Sequence, residues 1–149
     1  MEERVISNEE EIKDFALYIC EKLSSFKKNK AKVLLLEGDL GAGKTTFTKE
    51  LAKCFGVEGT VNSPTFILRK DYASKHSHIK KIIHVDAYRF THPKESRALR
   101  LEEELIDPSN LIIVEWPSKM NYLKSDITIF MEIVDENKRF VQIKYDFEE

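Results

Sequence analysis

The chain has 149 residues, 42% hydrophobic and 34% charged, a balance that fits one folded domain over 1–149 and excludes a disordered polypeptide. Its net charge of −2 excludes the strong basic excess of a dedicated duplex-binding domain. Its apolar runs are far shorter than the roughly 20 residues of a membrane span, and the acidic start MEERVISNEEE does not read as a signal peptide, so the cytoplasm is the expected compartment.

In chain order, residues 4–6 predict a short strand. Ser7 or Asn8 then caps a helix whose first turn holds Glu9, Glu10 and Glu11, charges that suit a helix N-terminus. Ile12, Phe15, Ala16, Ile19 and Leu23 recur at helical spacing. KVLLLE, 32–37, is a nearly continuous apolar run, as in a strand covered on both faces. A glycine-rich loop follows, then a second helix marked by Phe47, Leu51, Cys54 and Phe55 and stopped at Gly56. TFILRKDY, 65–72, and KIIHV, 81–85, read as strands joined by a polar turn over 73–77. Residues 93–105 predict a short helix anchored by Leu99, Leu101 and Leu105. LIIVE, 111–115, is another buried strand, and 127–134 with 140–145 forms a hairpin around DENKR. Strand, loop and helix come first and strands dominate later, which predicts an α/β domain with a mixed sheet. Cys20 and Cys54 fall on apolar helix faces as free thiols. His76, His78 and the lysines at 27, 28, 30, 32, 80 and 81 read as solvated.

The stretch EGDLGAGKTT, 37–46, carries the chemistry. Gly38, Gly43, Lys44 and Thr45 match the G-x-x-x-x-G-K-[ST] phosphate loop. Glycines let successive N–H groups curl around phosphate oxygens, and the following helix turns its positive end to the same anion. Lys44 reaches the outer phosphates, and the Thr45 hydroxyl is a Mg²⁺ ligand. A chance match in a chain of this length is on the order of one in a few hundred, and the preceding strand and following helix are the setting the motif requires. Asp39 inside the loop is repelled by phosphate unless it points away or caps local N–H groups.

Such a loop works with a carboxylate at a neighbouring strand end. Asp86 follows IIHV and Glu115 follows LIIV; one can hold Mg²⁺ and the other position a water, and the sequence leaves the division open. Ser63, Pro64 and Thr65 form either a turn or a segment that senses the outer phosphate. Trp116, the only tryptophan, reads as core or rim packing, and Arg89 as a surface arginine or a finger toward phosphate. With no Asn-Lys-x-Asp motif for guanine, ATP is the expected nucleotide. Three activities stay open: an ATPase that switches a partner, a small-molecule kinase, and a scaffold that binds nucleotide without hydrolysing it. Six arginines, of which only Arg97 and Arg100 lie close together, disfavour the arginine-rich lid of a kinase.

With GDLGAGKTT, NSPTF, HVDAYRF and VEWP in this order, the chain resembles the TsaE (YjeE) family from about residue 4 to the final hairpin. The resemblance implies a P-loop NTPase-like three-layer domain with a mixed sheet and a C-terminal hairpin. It implies binding of ATP and Mg²⁺, slow hydrolysis alone, and action on the TsaD and TsaB proteins in tRNA threonylcarbamoyladenosine synthesis, with tRNA met through those partners. It matches Leu40, Gly41, Ala42, Gly43, Lys44 and Thr45 to the phosphate loop, flanked by Asp39 and Thr46. Ser63, Pro64 and Thr65 match a switch-like segment, Asp86 the acid of HxDxYR, Glu115 the acid associated with Mg²⁺ and hydrolysis, and Trp116 the aromatic beside it. The adenine pocket is expected where the first strand meets its helix, around Ser7 to Glu11. RALRLEEEL lacks a glycine common in the family, a departure that touches partner contacts there.

Overall fold

The structure, a computed structural model, describes residues 1–39, 41–59, 61, 68–90, 97, 99–120 and 122–147. The strands are β1 (Glu2–Ile6), β2 (Lys32–Gly38), β3 (Arg69–Ala73), β4 (Lys81–Asp86), β5 (Asn110–Glu115), β6 (Ile127–Ile133) and β7 (Arg139–Tyr145). The α-helices are α1 (Glu9–Ser25), α2 (Lys44–Cys54) and α3 (Leu101–Leu105), and Pro117–Lys119 forms a 3₁₀ turn. All seven strands join one sheet in the order β1-β7-β6-β2-β5-β4-β3. Strand β2 runs parallel to both β5 and β6, and β4 runs parallel to β5. The pairs β1–β7, β6–β7 and β3–β4 are antiparallel, so the sheet is mixed, as its sequence predicts.

Side chains alternate across the sheet. Ile82, Leu111, Ile113, Leu34 and Leu36 face a core closed by α1 and α2, where Phe15, Ile19, Phe47 and Leu51 are buried. Ile83, Val85, Ile112 and Val114 face the other side, closed by Phe90, Leu99, Leu101 of α3, Met120 and Leu123. These two cores make three layers. They also explain why β2, β4 and β5 read as continuous apolar runs: both faces are covered.

Helix α1 starts at a reciprocal cap. Asn8 Oδ1 accepts the Glu11 N–H at 2.9 Å, and Glu11 Oε2 accepts the Ser7 N–H at 2.8 Å. A cap of this kind stabilises the helix by about 1 kcal/mol. Strand β3 is described from Arg69 to Ala73, residues 65–67 of the expected strand lying outside the described residues; of the expected 93–105 helix, Leu101–Leu105 is described as α3, and residues 93–96 and 98 lie outside the described residues. The turn before β4 is not wholly solvated. His76 is half-buried, its ring set edge-on to Phe55 at 5.2 Å and its Nε2 lying 3.2 Å from Ser24 Oγ. Cys20 and Cys54 are free, with burial pushing the Cys20 thiol up to about 11. Among the described residues, no helix is long and apolar enough to cross a membrane.

A close backbone approach lies where β2 ends. Gly38 has φ +149°, and a Cβ built there would stand 2.2 Å from the carbonyl oxygen of Met131, its register partner on β6. Only glycine fits this position without parting the two strands. Gly38→Ala is therefore expected to lower stability by about 2–4 kcal/mol, read as a fall in the urea midpoint. An unchanged midpoint would show that β2 and β6 are not closed at this level.

Candidate functional site

Beyond Gly38 the chain leaves the sheet. The Ala42 N–H donates to the Asp39 carbonyl at 3.1 Å, and Gly41 and Gly43 hold φ values of +78° and +102°. Residues with a Cβ rarely take this left-handed conformation. Helix α2 begins at Lys44 with no side-chain cap and no acid in its first turn. Its leading N–H groups and positive end are thus left for an anion.

Lys44 is buried. Its Nζ donates to the Gly38 carbonyl at 2.6 Å and lies 3.6 Å from the centre of the Trp116 ring. Burial holds this ammonium below the usual lysine range, while Glu115, then Asp86, then Asp39 pull it back up. Among the described residues, the ammonium contacts one carbonyl and one aromatic face.

Sheet register brings the two acids together. Asp86 and Glu115 are partners at the C-terminal ends of the parallel strands β4 and β5, and Glu115 also stands opposite Leu36 of β2. Both are buried. Asp86 Oδ1 accepts the Tyr88 N–H at 2.9 Å. Glu115 Oε2 lies 2.7 Å from His84 Nε2, and His84 is only 1% exposed. A carboxylate can only accept, so the pairing places a proton on Nε2. His84 Nδ1 finds no partner among the described residues. His84 opens the HVDAYRF stretch, but motif reading gives it no role. Its position two residues before Asp86 on one strand puts both side chains on the same face of the sheet, and that was the available signal.

Trp116 is half-buried at φ +57°, a rare backbone state for a bulky residue. Its N–H donates to Leu36 O at 3.2 Å, and its ring lies 4.9 Å from that of Tyr88. The structure thus brings Lys44, Asp86, Glu115 and Trp116 together. Thr45 is half-buried at the start of α2, and Asp39 is exposed. Leu40, Ser63, Pro64 and Thr65 lie outside the described residues.

Beside the loop opens a cleft of about 370 Å³, walled by Ser7, Asn8, Gly43, Thr46, Phe47 and Arg139. It sits where β1 meets α1, the place expected for the base. Glu11 does not line it, since its carboxylate is turned to the Ser7 N–H in the helix cap; Glu9 lines it instead. Asn137 and Arg139 of the hairpin form the far wall, and Arg139 Nη2 donates to the Gly41 carbonyl at 3.3 Å. In sequence, DENKR announces only a turn, so its contribution to this wall was not readable.

The donor set suits a hard cation. Thr45, Asp86 and Glu115 offer oxygen atoms, the ligands Mg²⁺ prefers. Among the described residues there is no cluster of three or more His, Cys, Asp or Glu arranged to cage a metal alone.

A mixed sheet flanked by helices, with this loop between β2 and α2, defines a P-loop NTPase-like α/β fold. The family described as "Threonylcarbamoyl adenosine biosynthesis protein TsaE" matches residues 6–142, and the chain belongs to that family. A TsaE protein of Rickettsia felis is 39% identical over 142 residues, covering 93% of this chain and 77% of the relative. One of Aquifex aeolicus is 34% identical over 145 residues, covering 96% of each chain. The crystal structure of Bacillus subtilis YdiB superposes with a TM-score of 0.70 at 28% identity, covering 94% of this chain and 82% of that one.

Trp116 is the only tryptophan, so its emission reports on the lysine beside it. Lys44→Met removes the cation from the ring face and is expected to raise the emission intensity of the ligand-free protein. Identical spectra would show that ring and ammonium are not in contact in solution.

Proposed function

We propose that this chain binds ATP with Mg²⁺ at the 37–46 loop and hydrolyses it slowly, and that the turnover acts on the TsaD–TsaB complex in tRNA threonylcarbamoyladenosine synthesis. The family is one of tRNA threonylcarbamoyladenosine biosynthesis. The observation that carries the ATPase reading is the convergence of one buried lysine and two buried carboxylates at the edge where β2, β4 and β5 end.

In this reading, the N–H groups at the start of α2 and the Lys44 ammonium take the outer phosphates. Lys44 exchanges Gly38 O and the Trp116 ring for a charged partner, which a desolvated ammonium favours. Thr45, Asp86 and Glu115 would hold Mg²⁺, which neutralises charge on the phosphates. Glu115 has one oxygen fixed by His84 and the other left to accept from a water or to face the ion. His84 acts as a positioning residue, fixing the rotation of that carboxylate. The base enters the cleft between α1 and the hairpin, and tRNA is met through the partner proteins.

The reading is tested by ATP hydrolysis with purified protein, alone and with TsaD and TsaB. Turnover is expected to rise with the partners and to vanish in Lys44→Ala, which also loses ATP binding. Binding with no hydrolysis under any condition would favour the scaffold, and phosphate transfer to an added metabolite would favour a kinase. Glu115→Ala is expected to keep nucleotide affinity within a few-fold while turnover falls by about 100-fold or more. Normal turnover in that variant would remove Glu115 from the mechanism. His84→Leu is expected to lower kcat by about tenfold at unchanged ATP affinity, with partial recovery in His84→Gln, which keeps a donor near the place of Nε2. Equal losses in both variants would reduce His84 to a packing residue.

A further inference from the structure

Strand β2, like α2, begins with a buried lysine. Lys32 is 6% exposed and lies at the pole of the sheet opposite the phosphate loop, near the N-terminal ends of β4 and β5. One of its N–H groups donates to the Leu23 carbonyl in the last turn of α1, and its Nζ lies 4.5 Å from the centre of the Phe26 ring. An ammonium has three donors. Among the described residues no second acceptor meets Lys32, and no carboxylate stands within ion-pair distance. Burial lowers the affinity of Lys32 for its proton, and Asp126 pulls the other way. Capping a helix end accounts for the Leu23 contact and for one donor. It does not account for a buried ammonium that, among the described residues, has no carboxylate at ion-pair distance, Asp126 acting on it only from further off.

Lys32 lines a cleft of about 430 Å³ together with Lys27, Lys28 and His78, and no carboxylate is among the residues that line it. Lys28 is already paired with Asp126 at 3.0 Å, whereas Lys27 and His78 are exposed on the rim. Ser24 and Ser109 also line the cleft, but their hydroxyls donate to Cys20 O and Asp107 Oδ1, so the cations dominate its chemistry. The neighbouring His76 imidazole is held below its ordinary value by burial first and then by His78, Lys32 and Lys80. This happens in a chain whose net charge is −2.

The geometry points to a second oxyanion site: the cleft takes a phosphoryl group onto the Lys32 ammonium, with Lys27 and His78 closing over it. The charge-assisted bonds supply the close counter-charge that the Leu23 carbonyl does not. Free phosphate compounds and the phosphodiester backbone of an RNA present the same group, and the two are separable by experiment. The site is independent of ATP turnover; a chain that never hydrolysed ATP would still show it.

The test follows the His78 ring and Ile79 amide resonances of the full chain by NMR while inorganic phosphate, or a short single-stranded RNA, is added. Both probes belong to this cleft, and a Lys44→Ala control silences the phosphate loop. Saturable shifts are expected in the wild-type chain. The half-saturation point is expected to weaken by about tenfold in Lys32→Met, which keeps the length of the stem without its charge, and in Lys27→Glu, a change at an exposed position that does not threaten folding. RNA that saturates at a lower concentration than phosphate, with affinity falling as salt rises, identifies a nucleic-acid backbone as the source. Saturation by phosphate alone identifies a small anion. Absence of saturable shifts with both probes, or wild-type half-saturation in both variants, overturns the proposal.

Discussion

Strand β2 is hydrogen-bonded to parallel neighbours along both edges, and the arrangement at the phosphate loop depends on that pairing. Parallel strands finish at the same edge of a sheet, so the ends of β2, β5, β6 and, one strand further, β4 come together. The glycine loop must leave from this edge. Both carboxylates must arrive at it, because Asp86 and Glu115 are the last residues of their strands. At Gly38 the β2 backbone lies so close to Met131 that the exit path of the chain is fixed before the loop begins.

That edge concentrates ionisable groups out of water. Lys44, His84, Asp86 and Glu115 are all buried, and their charges are met in different ways. Glu115 is paired through His84, Asp86 accepts a backbone N–H, and Lys44 leans on a carbonyl and an indole ring. The carboxylates are therefore held in a set geometry, while the lysine has the weaker partners and more to gain from an anion. The backbone of Trp116 serves the same end. Its N–H reaches Leu36 O, and the left-handed turn it makes there leaves its ring beside the ammonium.

Much of this was readable in the sequence because it is local. Helix α1 shows in the spacing of Phe15, Ile19 and Leu23, the loop in its glycines, and the core strands in unbroken apolar runs. The convergence of Asp86 and Glu115 could be expected from their places after such runs, but their pairing belongs to register, which connects residues 29 apart. The His84–Glu115 contact depends on the same long-range fact. Glu11 was legible both as a first-turn acid and as a pocket residue, and the helix cap claims its carboxylate. Arg139 could not be placed at all, since only the antiparallel return of β7 beside β1 carries it to the loop. Lys32 looked like one member of a solvated lysine run; its burial follows from the end of α1 lying over the start of β2.

The pairing of β1 with β7 has a bearing on how the molecule is made. Ile6 and Arg139 are register partners, yet almost the whole chain separates them. Closing so long a loop is entropically slow, and the two strands cannot meet until the later one has left the ribosome. The glycine loop and the first two helices are synthesised early and can take shape near one another. The cleft beside them, however, has one wall from each end of the chain. A newborn polypeptide therefore carries its glycine loop for most of its synthesis without the far wall of the cleft, and the cleft is whole only once the last strand has paired with the first.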